Sequence, residues 1–217
     1  MDLNKIYHGD ALELIEKDPH LYDLIVLHPP DLAETPYNLD EYKVFLYKIY
    51  RKCADKLNSK GNLVSITTDR KMNGIIYTKH IDVIDILKDK LSLFNYKIWA
   101  KTLNMNLYIL TYAHILAFRK GKHSTNNLIK EYRPDVLLIE RDNIKGYKNK
   151  DSFPTALIDL IIRNYTNENG LVLDPFIGTG KTARICALNN RNYVGYEISK
   201  DNYNIANELI GETDENT

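Results

Sequence analysis

An apolar run, Leu171-Val172-Leu173, closes on Asp174-Pro175-Phe176-Ile177-Gly178-Thr179-Gly180, and a second, Tyr193-Val194-Gly195-Tyr196, closes on Glu197. These residue types at this spacing can hold a nucleoside. Glycines in a strand-to-helix turn let the backbone approach a ligand where a Cβ would clash. A carboxylate ending the next strand can accept hydrogen bonds from both hydroxyls of a ribose. Asp174, Gly178, Gly180 and Glu197 together describe the corner an adenosine needs. What the loop lacks narrows the ligand. A dinucleotide fingerprint asks for a third glycine where Ala183 stands, and a phosphate-binding P-loop asks for glycine where Pro175 stands. Neither a dinucleotide nor ATP fits the pattern well.

Far upstream, Asp23-Leu24-Ile25-Val26-Leu27 reads as a buried strand that aims its carboxyl end at His28-Pro29-Pro30-Asp31. Two adjacent prolines stiffen a loop, because each fixes its own φ and restricts the residue before it. With the Asp174 to Gly180 loop, this segment resembles the amino-methyltransferases that modify cytosine N4 or adenine N6 in nucleic acid with S-adenosylmethionine, in the circularly ordered group whose Pro-Pro loop precedes the cofactor loop. The resemblance covers nearly the whole chain. Tyr7-His8-Gly9-Asp10-Ala11-Leu12 resembles the opening strand and acidic turn of that family. Ile98-Trp99-Ala100-Lys101 and the stretch from Ala113 to Gly121 resemble its late strands. Ser152-Phe153-Pro154-Thr155 resembles the helix start before the cofactor loop.

The resemblance implies a direct methyl transfer that needs no metal and no covalent enzyme intermediate. An exocyclic amino group is a poor nucleophile because its lone pair is delocalised into the ring. Acceptors around its N–H groups draw the nitrogen toward tetrahedral geometry, and alignment with the methyl donor supplies most of the acceleration. By resemblance the catalytic loop is His28, Pro29, Pro30 and Asp31, with His28 and the Pro29 carbonyl receiving the target amino group. Gly178 and Gly180 make room for the methionine part of the cofactor. Glu197 holds the ribose, and Asp10 caps the adenine edge. Asp174 is an acceptor for cofactor or loop, and Phe153, Pro154, Pro175 and Phe176 are its neighbours on the cofactor wall. The loop departs from the usual Asp-Pro-Pro-Tyr at both ends. An imidazole still accepts one hydrogen bond and titrates near neutral pH. Asp31 cannot stack on a flipped base, which leaves Tyr37 as the replacement platform. The same departure keeps open a catalytically decayed, nucleic-acid-binding partner subunit.

Between Arg119 and Lys150 stand nine Lys or Arg against four acids, in a chain balanced at 29 against 29 overall. Arg119, Lys120, Lys122, Lys130, Arg133, Lys145 and Lys148 are therefore expected to face nucleic-acid phosphates, since such residues supply most of the affinity for a backbone. The stretch 119–150 lies where the family carries its target-recognition insert. It is short for reading a specific DNA site, so a partner chain, relaxed specificity or a folded RNA such as rRNA stays open beside the favoured DNA. The form Phe153-Pro154 leans toward cytosine N4 over adenine N6.

The elements that must position these residues alternate between strand and helix. The expected architecture is one α/β domain over 1–217, a Rossmann-like methyltransferase fold with a mostly parallel seven-stranded sheet, helices on both faces and an antiparallel late strand. Residues 39–57 carry Tyr42, Phe45, Leu46, Ile49, Cys53 and Leu57 at helical spacing. A Ser59-Lys60-Gly61 stop and a strand over 62–67 follow. Helices are expected over 11–16, 81–90, 154–165 and 181–189, and strands over 5–7, 96–100 and 107–118. The two cysteines, Cys53 and Cys186, lack metal-ligand spacing and fit a reducing cytoplasm. No apolar run approaches the roughly 18 residues of a membrane span, and no signal peptide is apparent. A monomer or dimer is expected.

Overall fold

The computed structural model describes residues 1–100, 111–121, 134–140 and 153–214. Its strands are β1 (Lys5–His8), β2 (Tyr22–Leu27), β3 (Leu57–Thr67), β4 (Arg70–Met72), β5 (Ile75–Tyr77), β6 (Ser92–Ala100), β7 (Tyr112–Arg119), β8 (Val136–Leu138), β9 (Leu171–Asp174) and β10 (Asn192–Glu197). Its helices are α1 (Ala11–Lys17), α2 (Leu39–Asp55), α3 (Lys79–Leu87), α4 (Thr155–Tyr165), α5 (Lys181–Leu188) and α6 (Lys200–Asp214). Eight strands form one sheet in the order β1-β10-β9-β2-β3-β7-β6-β8. The pairs from β1 through β3 are parallel, and β7 runs antiparallel to both its neighbours.

The α/β class and the antiparallel late strand agree with the sequence. Among the described residues the sheet has eight strands where seven were expected, because β8 adds three residues beside Ile98–Ala100. So short a strand, with only Leu137 buried, leaves no period to read. A separate two-stranded ribbon, β4-β5, turns at Asn73-Gly74 with φ of 49° and 82°. Its Asn-Gly turn is a strong hairpin signal, but the strands on either side are too short to alternate.

Strand alternation divides the core between two faces. Leu24, Val26, Val64, Ile66 and Val172 pack with α4 and α5, whereas Ile25, Leu27, Leu63 and Leu173 pack with α1, α2 and α3. Asn38 caps α2 by accepting from the N–H groups of Asp40 and Glu41, and the Glu41 carboxylate accepts in turn from the Asn38 N–H. The helix stops at Asp55, Lys56 caps it, and β3 begins at Leu57, so 59–61 lies within the strand and does not end the helix. Register slips there, with Tyr22 opposite Leu57 but Leu24 opposite Asn62. Pro154 is the N-cap of α4, one position before its first turn. The expected residues 107–110 of the late strand lie outside the described residues.

Candidate active site

Parallel pairing places β1, β10, β9 and β2 side by side with their carboxyl ends on one edge. Neighbouring strands lie about 4.8 Å apart. Gly9 and Asp10, Glu197, Asp174 and His28 therefore follow one another across the sheet, although His28 and Glu197 are far apart in sequence. Beyond this edge lies a cavity of about 500 Å³ lined by Asp10, His28, Pro30, Tyr37, Phe153, Asp174, Pro175, Phe176, Gly178 and Glu197, with Phe45 and Asn202.

The cofactor-type corner is built by its own hydrogen bonds. Glu197 Oε2 accepts from the Gly178 N–H at 2.9 Å and Oε1 from the Ser199 N–H at 2.7 Å. A carboxylate has about four acceptor sites, so each oxygen retains one for a ligand hydroxyl. Asp174 Oδ2 accepts from the Thr182 hydroxyl at 2.6 Å and Oδ1 from the Phe176 N–H at 3.1 Å, which ties the loop to the start of α5. Burial pushes Asp174 up to about 6 against the pull of these two donors. Asp10 accepts from the Leu12 and Glu13 N–H groups and caps α1 while also lining the cavity.

The two glycines separate. Gly178 has φ of 57° and a Cβ there would meet nothing within 4 Å; it opens onto the cavity. Gly180 is not on the cavity wall. Its φ is 82° and a Cβ would stand 2.9 Å from the Cβ of Ala206, so a glycine here admits α6 and caps the start of α5.

The Pro-Pro loop is held from behind. His28 stands edge-on to Phe153, with ring centroids 4.4 Å apart, and Phe153 in turn packs edge-on to buried Trp99. The Tyr42 hydroxyl donates to the Pro30 carbonyl at 2.8 Å. Lys79, buried to 3% side-chain exposure, donates to the Asp31 carboxylate and lies 3.4 Å from the Tyr42 hydroxyl. Asp31 thus faces Lys79 and is absent from the cavity wall, as are Pro29 and Pro154. The sequence placed Tyr42 on the buried face of α2 without marking its hydroxyl, and carried no signal for Lys79. A short 3-10 turn at Leu32–Glu34 folds the loop back and carries Tyr37 onto the cavity, its ring 5.7 Å from Phe45.

Of the expected phosphate-facing residues, the two that are described, Arg119 and Lys120, do not lie at this edge. Antiparallel β7 ends with Arg119 opposite Asn62 while His114 lies opposite Thr67, so Arg119 and Lys120 occupy the far edge of the sheet. There Arg119 covers Phe94 and Lys120 donates to the Leu57 carbonyl at 2.8 Å. Lys122, Lys130, Arg133, Lys145 and Lys148 lie outside the described residues.

Comparison with known proteins fits this arrangement. The DNA methylase family model for N6 and N4 enzymes matches residues 22–208. The orphan methyltransferase M.BamHII of Bacillus amyloliquefaciens is 40% identical over 99 residues, 42% of this chain and 37% of that protein. The type II methyltransferase M.BglII of Bacillus subtilis is 26% identical over 99% of this chain and 71% of its own length. The chain thus spans well under half of the first relative and about seven-tenths of the second. In structure, TTHA0409 of Thermus thermophilus, solved with S-adenosyl-L-methionine, superposes with a TM-score of 0.77 at 24% identity, over 96% of this chain and 93% of that one. The cytosine-N4-specific PvuII DNA methyltransferase gives 0.80 at 18% identity, over 93% and 84%. With the family model matched from β2 into α6, and the Pro-Pro and Gly-x-Gly loops on one edge of the matching fold, this chain belongs to the N6/N4 DNA methylase family.

Proposed function

We propose that the chain transfers a methyl group from S-adenosylmethionine to the exocyclic amino group of a DNA base, with cytosine N4 favoured over adenine N6. One observation carries this reading: His28 and Pro30 share a cavity wall with Gly178 and Glu197. The cavity suits the cofactor on three counts. Its volume of about 500 Å³ falls in the range of small-molecule sites. Gly178 leaves open the space a Cβ would fill, and Glu197 keeps acceptor capacity beside the two N–H groups it already binds.

When bound, S-adenosylmethionine supplies an electrophilic methyl group on a sulfonium centre. Glu197 accepts hydrogen bonds from the ribose, and Phe176 and Phe153 exclude water around the aromatic part. The His28 ring, which lines the cavity, accepts an N–H group of the target base. Tyr42 and Lys79 keep that loop in one conformation, so little reorganisation remains at the moment of transfer. Tyr37 is positioned to stack on a base swung out of its strand. The β4-β5 ribbon follows the carboxyl end of β3 on this same edge and bears Arg70 and Lys71, with Ile75 at 75% exposure. Basic and apolar side chains together suit a nucleic-acid surface.

The test is expression in a host lacking both marks, followed by mass spectrometry of nucleosides from DNA and rRNA. N4-methylcytosine in DNA is expected. N6-methyladenine would move the base, a mark in rRNA would move the polymer, and absence of both marks would remove the reading.

A further inference from the structure

Outside the cavity, Asp69 lies two residues past β3, His80 is the second residue of α3, and His114 is the third residue of β7. One ligand atom from each lies within 4.8 Å of the others. Asp69 Oδ1 is 2.8 Å from His80 Nδ1, and Asp69 Oδ2 is 3.3 Å from His114 Nε2. The two imidazoles stack with centroids 3.9 Å apart. Their side chains are 18% and 6% exposed, and that of Asp69 is 3%.

His114 Nε2 is buried and completes no hydrogen bond despite its distance to Asp69. A buried polar atom left unpaired destabilises the fold. Two stacked imidazoles cannot both be protonated without repelling each other. A divalent cation resolves both conflicts by taking the lone pairs of the two ring nitrogens and a carboxylate oxygen. The geometry points to a transition-metal site formed by Asp69, His80 and His114.

Two imidazole nitrogens and one carboxylate oxygen, with no thiolate, select zinc and its first-row neighbours over magnesium or calcium. Zinc bonds of about 2.0–2.2 Å set tetrahedral ligand atoms roughly 3.4 Å apart. The separations of 2.8 Å and 3.3 Å lie just below that value, and the His80 ring would turn out of its stack on His114 to aim Nδ1 at the ion. A supporting contact is present: the Tyr96 hydroxyl lies 2.6 Å from His114 Nδ1. That contact holds the ring with Nε2 free to ligate when Nδ1 carries the proton. The partly exposed His80 side leaves room for water as a fourth ligand.

The ion would clip the start of α3 to the sheet. Lys79, the residue before His80, holds Asp31 at the end of the Pro-Pro loop, so occupancy would also fix that contact. The site does not depend on the methyl-transfer reading, because none of its three residues lines the cavity.

The experiment takes the full chain without a histidine tag, strips it with EDTA and titrates it with Co²⁺ by visible absorption, then with Zn²⁺. Expected are one equivalent of bound Co²⁺, displacement by Zn²⁺ but not Mg²⁺, and an unfolding temperature that rises with Zn²⁺ concentration. Asp69→Asn and His80→Gln should each weaken binding at least tenfold. Circular dichroism in EDTA checks that both variants fold; if Asp69→Asn does not, His80→Gln decides alone. No saturable binding at one equivalent, or equal affinity in the folded variants, overturns the site.

Discussion

Asp174 shows how one buried carboxylate serves a loop at a cost to stability. Its ordinary value is 3.8 and burial raises it to about 6, with Glu197 nearby adding to the rise. Between those values the folded chain keeps a proton that the unfolded chain releases. Its favourable contribution is therefore complete below pH 4 and is lost as the pH rises through 6, by on the order of 3 kcal/mol. Urea unfolding of the ligand-free protein from pH 4 to 7 should show this decline in the wild type and a flatter profile in Asp174→Asn; parallel profiles would refute it. On the proposed reading, Gly178 serves the cofactor and His28 the transfer. Gly178→Val forces a β-branched residue to φ of 57° and puts methyl groups into the cavity, so calorimetry should detect no cofactor binding. His28→Ala should leave that binding unchanged and lower turnover about a hundredfold, within the usual range for a positioned proton acceptor. Unchanged turnover would reassign the acceptor.

At the level of elements, the Pro-Pro loop owes its conformation to α2 and α3, not to its prolines alone. Tyr42, in the first turn of α2, anchors the Pro30 carbonyl, and Lys79, at the start of α3, anchors Asp31. Tyr42→Phe preserves the packing and deletes the hydrogen bond to Pro30 with the longer one accepted from Lys79, which should cost about 1 kcal/mol of stability. It should lower kcat while cofactor affinity holds, because the cofactor corner is built from β9, β10 and α5. An equal loss of cofactor affinity would show that the two loops are not separable. The helix faces were legible in the sequence, since Leu46, Ile49 and Cys53 recur at helical spacing and are fully buried. The polar ends of Tyr42 and Lys79 were not, because a hydroxyl or ammonium finds its partner only after distant elements pack.

For the whole molecule, the sheet decides which charges share the catalytic edge. Arg119 and Lys120 stand at the opposite edge, whereas Arg70 and Lys71 follow directly from the carboxyl end of β3. Replacing Arg70 and Lys71 together by Ala should weaken DNA binding and flatten its salt dependence by roughly one power of salt per lost phosphate contact. Lys120→Ala should change neither. Fluorescence anisotropy with labelled duplex across a salt series checks both, and a larger effect at Lys120 would invert the assignment.

The sequence alone determined the make-up of the two loops and the alternation of elements, because a Gly-x-Gly turn, a strand-ending carboxylate and helical or strand periodicity are local properties. It could not determine that β9 lies between β10 and β2, which brings Asp174 between Glu197 and His28. Nor could it show that antiparallel β7 carries its basic end away from the site, or that Asp69, His80 and His114 converge. Strand order and direction are decided by how both apolar faces of the sheet are covered at once, and that condition belongs to the folded chain as a whole.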